Sequence, residues 1–198
     1  MRFEVSGPQS ASEVLAKPLR ADAFRNRAAV LDAAARLFAA RGVDNVSMDE
    51  VAAAAGVGKG TLFRRFGDKA GLATALLDAR ETDLQQAILS GPPPLGPSAD
   101  PAARLVAFVE AYLSYVLAHL DLVRMSEAGG RYSIGAYHFW HQHVTILLTS
   151  AGHPDAPAAA HALLALLSAA HLEGVLASLG ESRVRASAVD VARRLAGN

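Results

Sequence analysis

The chain contains no cysteine, which excludes disulfide bonds and thiolate metal sites. Aromatic residues make up only 6% of its 198 residues, and Val, Ile and Thr are scattered among Ala and Leu without alternation, which argues against β-sheets. No run of 18 apolar residues occurs, so we expect no membrane span. The first twenty residues lack the apolar core of a signal peptide, so we expect a cytoplasmic protein. The remaining composition, 52% hydrophobic and 19% charged, indicates a globular all-α protein.

The formal net charge of zero conceals an uneven distribution of charge. Residues 17–69 carry ten basic and six acidic side chains, a net charge of +4. Residues 70–198 carry eight basic and eleven acidic side chains, a net charge of −3. Such segregation favours a polyanionic partner for the N-terminal part alone, and chance clustering is the alternative interpretation.

Residues 1–21 are expected to form a flexible arm, and residues 22–69 a first domain. Its first helix is predicted from about Asp22 to Arg41, where Gly42 supplies a C-terminal stop. The apolar positions expected to face the core of that domain follow a helical spacing. These positions are Phe24, Ala28, Leu31, Ala35 and Phe38.

A second and a third helix are predicted within residues 47–66. Ser47 and Glu50 form the pattern S-x-x-E, a capping box that begins a helix through Ala55. Gly56 then allows a tight turn, because glycine adopts left-handed backbone conformations readily. The third helix covers about residues 59–66, and Asp68 caps a long fourth helix. This order of helices predicts a helix-turn-helix.

Residues 90–100, with four prolines and two glycines, are predicted to be a connector rather than a helix. Further helices are predicted at about 101–119, 121–128, 134–150, 157–179 and 184–196, giving about nine helices, with residues 70–198 as a larger helical domain. The segment 157–179 is apolar around most of its circumference and must be covered on all sides. We favour a homodimer formed through 157–179 and 184–196 over the alternative of a core helix within one subunit.

The segment from Arg25 to Leu77 resembles the DNA-binding domain of TetR-family transcriptional regulators. The resemblance is carried by LFAARG at the end of the first helix, the Ser47 cap, the AGV turn, the GTLF start of the third helix and the F-x-x-K close. It implies a three-helix DNA-binding domain linked by a long helix to a ligand-binding and dimerisation domain. The C-terminal half carries no motif that we can match.

In this arrangement the third helix would enter the major groove of duplex DNA. Lys59, Lys69 and the Ser47 cap would contact phosphates, whereas Thr61, Arg64 and Arg65 would reach base edges. A solvated helix face is the alternative for the two arginines. The full set of predicted DNA-binding residues is Ser47, Gly58, Lys59, Gly60, Thr61, Phe63, Arg64, Arg65 and Lys69.

Three of these residues depart from the usual family pattern. Phe63 stands where a tyrosine is common, Arg65 where a histidine or tyrosine is common, and Gly58 where a serine is frequent. The first and third departures remove hydroxyl groups that would contact phosphates, and the second adds a charge. We therefore expect a base preference that is individual to this protein.

Aromatic and imidazole side chains concentrate in residues 112–143, which favours a pocket with apolar walls and a few polar anchors. His138 and His141 are spaced for a metal, but no cysteine or nearby carboxylate completes a site, so no metal or cofactor is expected. Each pocket candidate has a place in the core as its alternative. The predicted ligand-binding residues are Tyr112, Tyr115, His119, Met125, Tyr137, Trp140, His141 and His171.

The resulting hypothesis is a regulator, not an enzyme, that represses transcription as a dimer on a palindromic operator in double-stranded DNA and is released by a small-molecule effector. One alternative is a helical metabolite-binding or enzyme-like protein whose N-terminal helices only pack. Another is a structural DNA-binding protein without a ligand. Neither a phosphate-binding glycine loop nor a nucleophile elbow occurs, which disfavours the enzyme.

Overall fold

A computed structural model describes residues 11–128 and 135–197 of the chain. The described residues are all-α and form ten helices. These are α1 (Ala11–Arg41), α2 (Met48–Ala54), α3 (Lys59–Phe66), α4 (Lys69–Ser90), α5 (Pro101–Ala118), α6 (Leu120–Ala128), α7 (Gly135–Ser150), α8 (Ala156–Leu166), α9 (Ala169–Leu179) and α10 (Glu181–Leu195). The chain divides into two compact units, residues 1–67 and 68–198.

The first helix differs from the prediction in its start and in its buried face. It spans Ala11–Arg41 and so includes residues 11–21, which were predicted to precede the helix, while residues 1–10 lie outside the described part. Among residues 25–41 of this helix the buried side chains belong to Val30, Ala33, Ala34 and Phe38, whereas Ala28 and Ala35 are exposed, and the side chain of Phe24 lies outside the described part. Alanine is abundant on every side of this helix and therefore does not distinguish the buried face from the exposed one.

The first unit has a small core of aliphatic and aromatic side chains from α1, α2, α3 and their connections. Phe38 of α1, Val51 of α2 and Leu62 of α3 are all buried. Val43 and Val46, in the connection between α1 and α2, complete this core. Helices α2 and α3 have only seven and eight residues. Burial of these few side chains against α1 therefore determines where the two short helices lie.

The second unit is built around α5. Its buried stripe includes Leu105, Phe108, Val109, Leu113 and Val116, and the helix packs against α4, α6, α7 and α10. By length and composition alone α5 is the one described helix that could by itself cross a membrane. Its stripe lies instead in the main hydrophobic cluster of this unit, as expected for a core helix.

The predicted connector and its cap are confirmed. No helix occupies residues 91–100, and Asp100 caps α5 by accepting hydrogen bonds from the backbone N–H groups of Ala102 and Ala103, at 3.1 and 3.2 Å. Pro101 occupies the first turn of α5, where its missing N–H has no cost. A side chain of α5 also fixes the connector, because the guanidinium of Arg104 donates a hydrogen bond to the carbonyl of Leu95 at 3.3 Å.

The long apolar helix predicted at 157–179 is two helices, α8 and α9, and the prediction of one continuous helix is wrong. The two helices meet at an angle of 55°. Ser168 causes the break, because its backbone is extended and its hydroxyl accepts a hydrogen bond from the N–H of His171 at 3.3 Å. This serine is therefore an N-cap that begins a new helix within an apolar run.

We expect Leu113→Ala to lower the free energy of unfolding by about 2–5 kcal/mol, because this side chain is fully buried against neighbouring helices and its removal leaves a cavity. Urea denaturation followed by circular dichroism measures the change. Leu89→Ala is the matched control, because that leucine is 57% exposed. Equal effects of the two substitutions would contradict the assignment of α5 as the core helix.

Candidate DNA-binding surface and ligand cavity

The capping box predicted at the start of α2 is present. The hydroxyl of Ser47 accepts from the N–H of Glu50 at 3.2 Å, and the Glu50 carboxylate accepts from the N–H of Ser47 at 2.8 Å. The same carboxylate accepts from the guanidinium of Arg41 at 2.7 Å, and Arg41 also donates to the carbonyl of Asn45 at 2.7 Å. The end of α1 is thereby joined to the beginning of α2.

These hydrogen bonds change the acidity of Glu50. Donation by the Ser47 backbone, followed by donation from Arg41, lowers the pKa of the Glu50 carboxyl from 4.5 to about 2. Because the folded pKa is lowered, the carboxylate stabilises the folded unit fully above about pH 4.5. That contribution disappears as the pH falls through about 2.

The turn between α2 and α3 depends on Gly56. Its φ of +65° lies in the left-handed region, where a side chain would be strained. The N–H of Val57 bonds back to the carbonyl of Ala52 at 3.0 Å, which closes α2. Gly58 is then the N-cap of α3. The predicted bounds of α3, residues 59–66, are confirmed.

One side of α3 is buried and the other is exposed and basic. Leu62 is 1% exposed, and it fixes the helix against its unit. Lys59, Arg64 and Arg65 are exposed, and α3 contains no acidic residue. Phe63 is 45% exposed, an unusual position for so large an apolar side chain. The surface formed by residues 58–61 and 63–65 is called the α3 surface below.

The structure places the predicted DNA-binding residues in both units. Ser47 is exposed at the cap of α2, Gly58 and Gly60 are exposed at the start of α3, and Thr61 is half-buried. Lys59 forms an ion pair with Asp49, so a contact with phosphate requires this exposed pair to open. Lys69 is the first residue of α4 and belongs to the second unit.

A cavity of about 30 Å³ lies within the second unit, between α4, α5, α6 and α7. Four of the eight predicted ligand-binding residues line it, namely Tyr112, Tyr115, Tyr137 and Trp140. The other lining residues are Leu77, Glu81, Val123, Ser126, Glu127 and Ala136. The volume suits a few small atoms, such as the polar head group of a ligand.

The remaining four predicted residues do not line this cavity. Met125 is on a different side of α6 from Val123 and Ser126, and His119 ends α5 with its ring against that of Tyr115. His141 packs against His161 of α8, with 3.9 Å between the ring centroids. His171 is exposed and lines a separate apolar groove formed by α8, α9 and α10.

Two carboxylates in the cavity wall were missed in the sequence. Glu81 is half-buried, and its carboxylate accepts a hydrogen bond from the hydroxyl of Tyr115 at 2.9 Å. Burial raises the pKa of Glu81, and nearby Asp78 raises it further, while the Tyr115 bond opposes the shift. A signal existed, because Glu81 occupies a position of the apolar stripe Leu77, Leu84 and Ile88 at helical spacing. Glu127 gives no comparable signal.

Comparison with known proteins supplies an independent observation. Residues 30–76 match the model of the family described as bacterial regulatory proteins, tetR family. The HTH-type transcriptional regulator SAB2452 of Staphylococcus aureus is 44% identical over 54 residues, which are 27% of this chain and only 29% of that relative. The family match begins within α1, at residue 30, and ends within α4, at residue 76.

Solved structures extend the comparison to most of the chain. A bacterial regulatory protein in the tetR family from Rhodococcus RHA1 has a TM-score of 0.58 at 22% identity, covering 86% of this chain and 96% of that one. A single-residue variant of TetR from Acinetobacter baumannii AYE, solved in complex with minocycline, has a TM-score of 0.63 at 19% identity, with 85% and 92% covered. At these identities the likeness establishes a common fold for both units.

We expect Glu50 to remain ionised at about pH 3.5, where an ordinary glutamate is mostly protonated. The physical reason is the hydrogen bonding of the carboxylate by Ser47 and Arg41. An NMR titration of the Glu50 carboxyl and the Ser47 amide measures this. In Arg41→Lys, which keeps the charge but loses the planar guanidinium that bonds both Glu50 and Asn45, the midpoint should rise. A midpoint near 4.5 in the unaltered protein would contradict the assignment.

Proposed function

We propose that the chain is a member of the TetR family of bacterial regulatory proteins and a DNA-binding transcription regulator, which is supported by the match of residues 30–76 to the family model and by the shared fold. The observation that carries the proposal is the α3 surface. This surface presents three cations and no carboxylate from α3, on a helix held from behind by Leu62. A short helix of this form fits the major groove, where cations contact phosphates and base edges.

Within this proposal the residues of the α3 surface and its flank have different roles. Lys59 and Lys69 contact phosphates and add affinity without reading sequence. Arg64 and Arg65 reach base edges, where an arginine paired to guanine contributes about 1–3 kcal/mol of discrimination. Gly58 and Gly60 allow the backbone to approach the DNA closely, since a Cβ at either position would meet open space and not the protein itself.

We further propose a homodimer that uses the apolar surface of α8, α9 and α10. Leu166 and Leu179 are 37% and 39% exposed in the single chain. Between them lies the groove that Leu172, Val175 and Val184 line. Two copies joined by this surface would present two α3 helices to a near-palindromic site, with half-sites about 34–36 Å apart.

The cavity of the second unit is proposed as the effector site of a repressor. NalD of Pseudomonas aeruginosa, the secondary repressor of the MexAB-OprM multidrug efflux pump, has a TM-score of 0.52 at 22% identity, covering 86% of this chain and 94% of its own. Helix α4 follows α3 after two intervening residues and carries Leu77 and Glu81 of the cavity wall. A ligand that binds more tightly to the arrangement of α4 that does not bind DNA would release the DNA. We propose that the protein acts in the cytoplasm.

Of the alternatives, an enzyme disagrees with the family, whose members are regulators of transcription. A structural DNA-binding protein would show no preferred sequence. Selection of bound sites from random DNA distinguishes it from a regulator. Enrichment of one near-palindromic site supports the proposal, and equal binding to all sequences contradicts it.

We expect Arg64→Ala and Arg65→Ala each to weaken binding to the selected site by about 1–3 kcal/mol and to relax the preference at one base position. Lys59→Ala should instead weaken binding to all sequences alike and reduce the salt dependence by about one counterion. Fluorescence anisotropy at several salt concentrations measures both. Arg193→Ala in α10, also exposed, is the control. Unchanged binding of both arginine variants of α3 would refute base contact by these arginines.

We expect Leu179→Glu to convert the protein to monomers and to abolish tight binding to the palindrome, because it places charges in the apolar surface of α9 and that of its partner. Sedimentation velocity gives the oligomeric state. Ile146→Glu is the matched control, since Ile146 of α7 is 53% exposed outside this groove. Dimers that persist in Leu179→Glu, or equal dissociation in both variants, would contradict the proposed interface.

A further inference from the structure

One large apolar side chain of the first unit is exposed. Phe63 of α3 is 45% exposed, whereas the other large apolar side chains described in residues 25–67 are buried or half-buried. Single apolar residues at a protein surface are common and show nothing by themselves. The meaning of this one depends on where the ring lies on α3 and on what surrounds it.

The buried face of α3 fixes the place of Phe63 on the helix. Leu62 is 1% exposed and Phe66 is half-buried, so these two residues mark the side of α3 that packs against the unit. Phe63 follows Leu62 at the edge of the exposed side. Residues three and four positions apart share one face of a helix, so Phe63 lies on the same face as Lys59 and Gly60. The ring therefore belongs to the part of the α3 surface that includes the start of the helix.

The surroundings of the ring suit a polyanion and leave room for it. Lys59 and Arg64 are exposed before and after Phe63 in the sequence, and α3 contains no acidic residue. A Cβ built at Gly60 would meet no atom within 4 Å, so the surface one turn before Phe63 is open. In the proposed complex the start of α3 lies against the base edges of the major groove. The missing side chain of Gly60 then allows the ring and the base edges to approach each other.

The chemistry of the ring limits what it can contact in the groove. A phenyl ring has no hydrogen-bond donor or acceptor for a phosphate or a polar base atom. If it covered such an atom, it would displace water without replacing the lost hydrogen bond, which costs free energy. The base edges of the major groove present acceptors, amino donors and one apolar group, the C5-methyl group of thymine. That methyl group is therefore the favourable partner for the ring.

We propose that the ring of Phe63 packs against the C5-methyl group of a thymine in the major groove and so fixes one T·A pair in each half-site of the preferred sequence. The contact removes apolar surface of both groups from water. It differs from the contacts of Arg64 and Arg65, because it involves no charge and releases no counterion. This inference rests on the proposed DNA-binding function and names one base that the α3 surface reads.

Removal of single methyl groups from the DNA tests the inference on the full-length protein. Selection from random DNA first gives the preferred duplex, and each thymine in it is then replaced by deoxyuridine, which lacks only the C5-methyl group. Fluorescence anisotropy measures the dissociation constant of each duplex. We expect at least one replacement in each half-site to weaken binding about fourfold, as for one buried methyl group. A preferred sequence without a fixed thymine, or equal binding of all the deoxyuridine duplexes, would overturn the inference.

Variants of Phe63 assign the sensitive methyl group to this side chain. Phe63→Ala is too short to reach it and Phe63→Gln is polar, so both should bind thymine and deoxyuridine at that position equally. Phe63→Leu, which remains apolar, should still prefer thymine. Leu89→Ala is the control, because Leu89 of α4 is also an exposed apolar residue, at 57%, and the fourfold preference should persist.

The ratio of the two dissociation constants is measured within one variant, so a small loss of folded protein, which circular dichroism detects, does not change it. An unchanged preference for thymine in Phe63→Ala and Phe63→Gln would refute the assignment. The assignment would also be refuted if these variants lost affinity for all sequences alike at an unchanged ratio, since that result indicates contact with deoxyribose or a purely structural role.

A 5-methylcytosine duplex tests the same contact by adding the methyl group back. A C·G pair at the sensitive position lacks the methyl group, and 5-methylcytosine restores it at the same place in the major groove. We expect 5-methylcytosine to bind more tightly than cytosine, by up to about fourfold, in the unaltered protein and equally in Phe63→Ala. Equal binding of the two bases by the unaltered protein would contradict the inference.

The first step of this experiment separates the inference from the proposed function. If one DNA site is enriched but its methyl groups do not matter, the regulator stands and the contact of Phe63 is refuted. If no DNA site is enriched, the proposed function itself is refuted, and the contact with it. Enrichment of a site whose thymine preference disappears in Phe63→Ala supports both.

Discussion

A helix of eight residues is too short to be stable by itself in water, and this constraint governs the N-terminal unit. Helix α3 exists because Leu62 is buried in the core of that unit and because Gly56 and Gly58 set its start. Helix α2, with seven residues, depends in the same way on its capping box. Both helices are stabilised by contacts with the rest of the unit. Because those contacts fix the backbone of α3, they also fix the positions from which its exposed side chains extend.

The two units place their charged groups in different surroundings, at the surface in the first unit and partly buried in the second. In the first, Arg41, Ser47 and Glu50 satisfy one another at the surface, and the cations of α3 lie exposed where a polyanion can reach them. In the second, Glu81 and Glu127 stand in the wall of a small cavity beside aromatic rings. The Tyr115 hydroxyl donates to Glu81 and the Ala169 N–H donates to Glu127, and these hydrogen bonds offset part of the cost of desolvating the carboxylates.

Much of the fold follows from local signals in the sequence, and most of the site in the second unit does not. The Ser47 capping box, the left-handed Gly56 and the Asp100-Pro101 start of α5 are short-range chemistry, and each is predictable to within a residue or two. The break at Ser168 was hidden because one polar residue in an apolar run resembles a tolerated interior serine. Residues from four helices line the cavity. Which of them lie together depends on how the helices pack, and the hydrophobic periodicity of each single helix does not predict that packing.

The position of Trp140 has a practical consequence. It is the single tryptophan of the chain, it is 2% exposed, and it lines the cavity beside Tyr112. The indole emission of the whole protein therefore originates at one wall of the proposed effector site, and its wavelength depends on the polarity of that site. Occupancy of the cavity can be followed through the protein's own fluorescence, with no label, and the change of emission after rapid mixing would report how quickly ligands enter and leave.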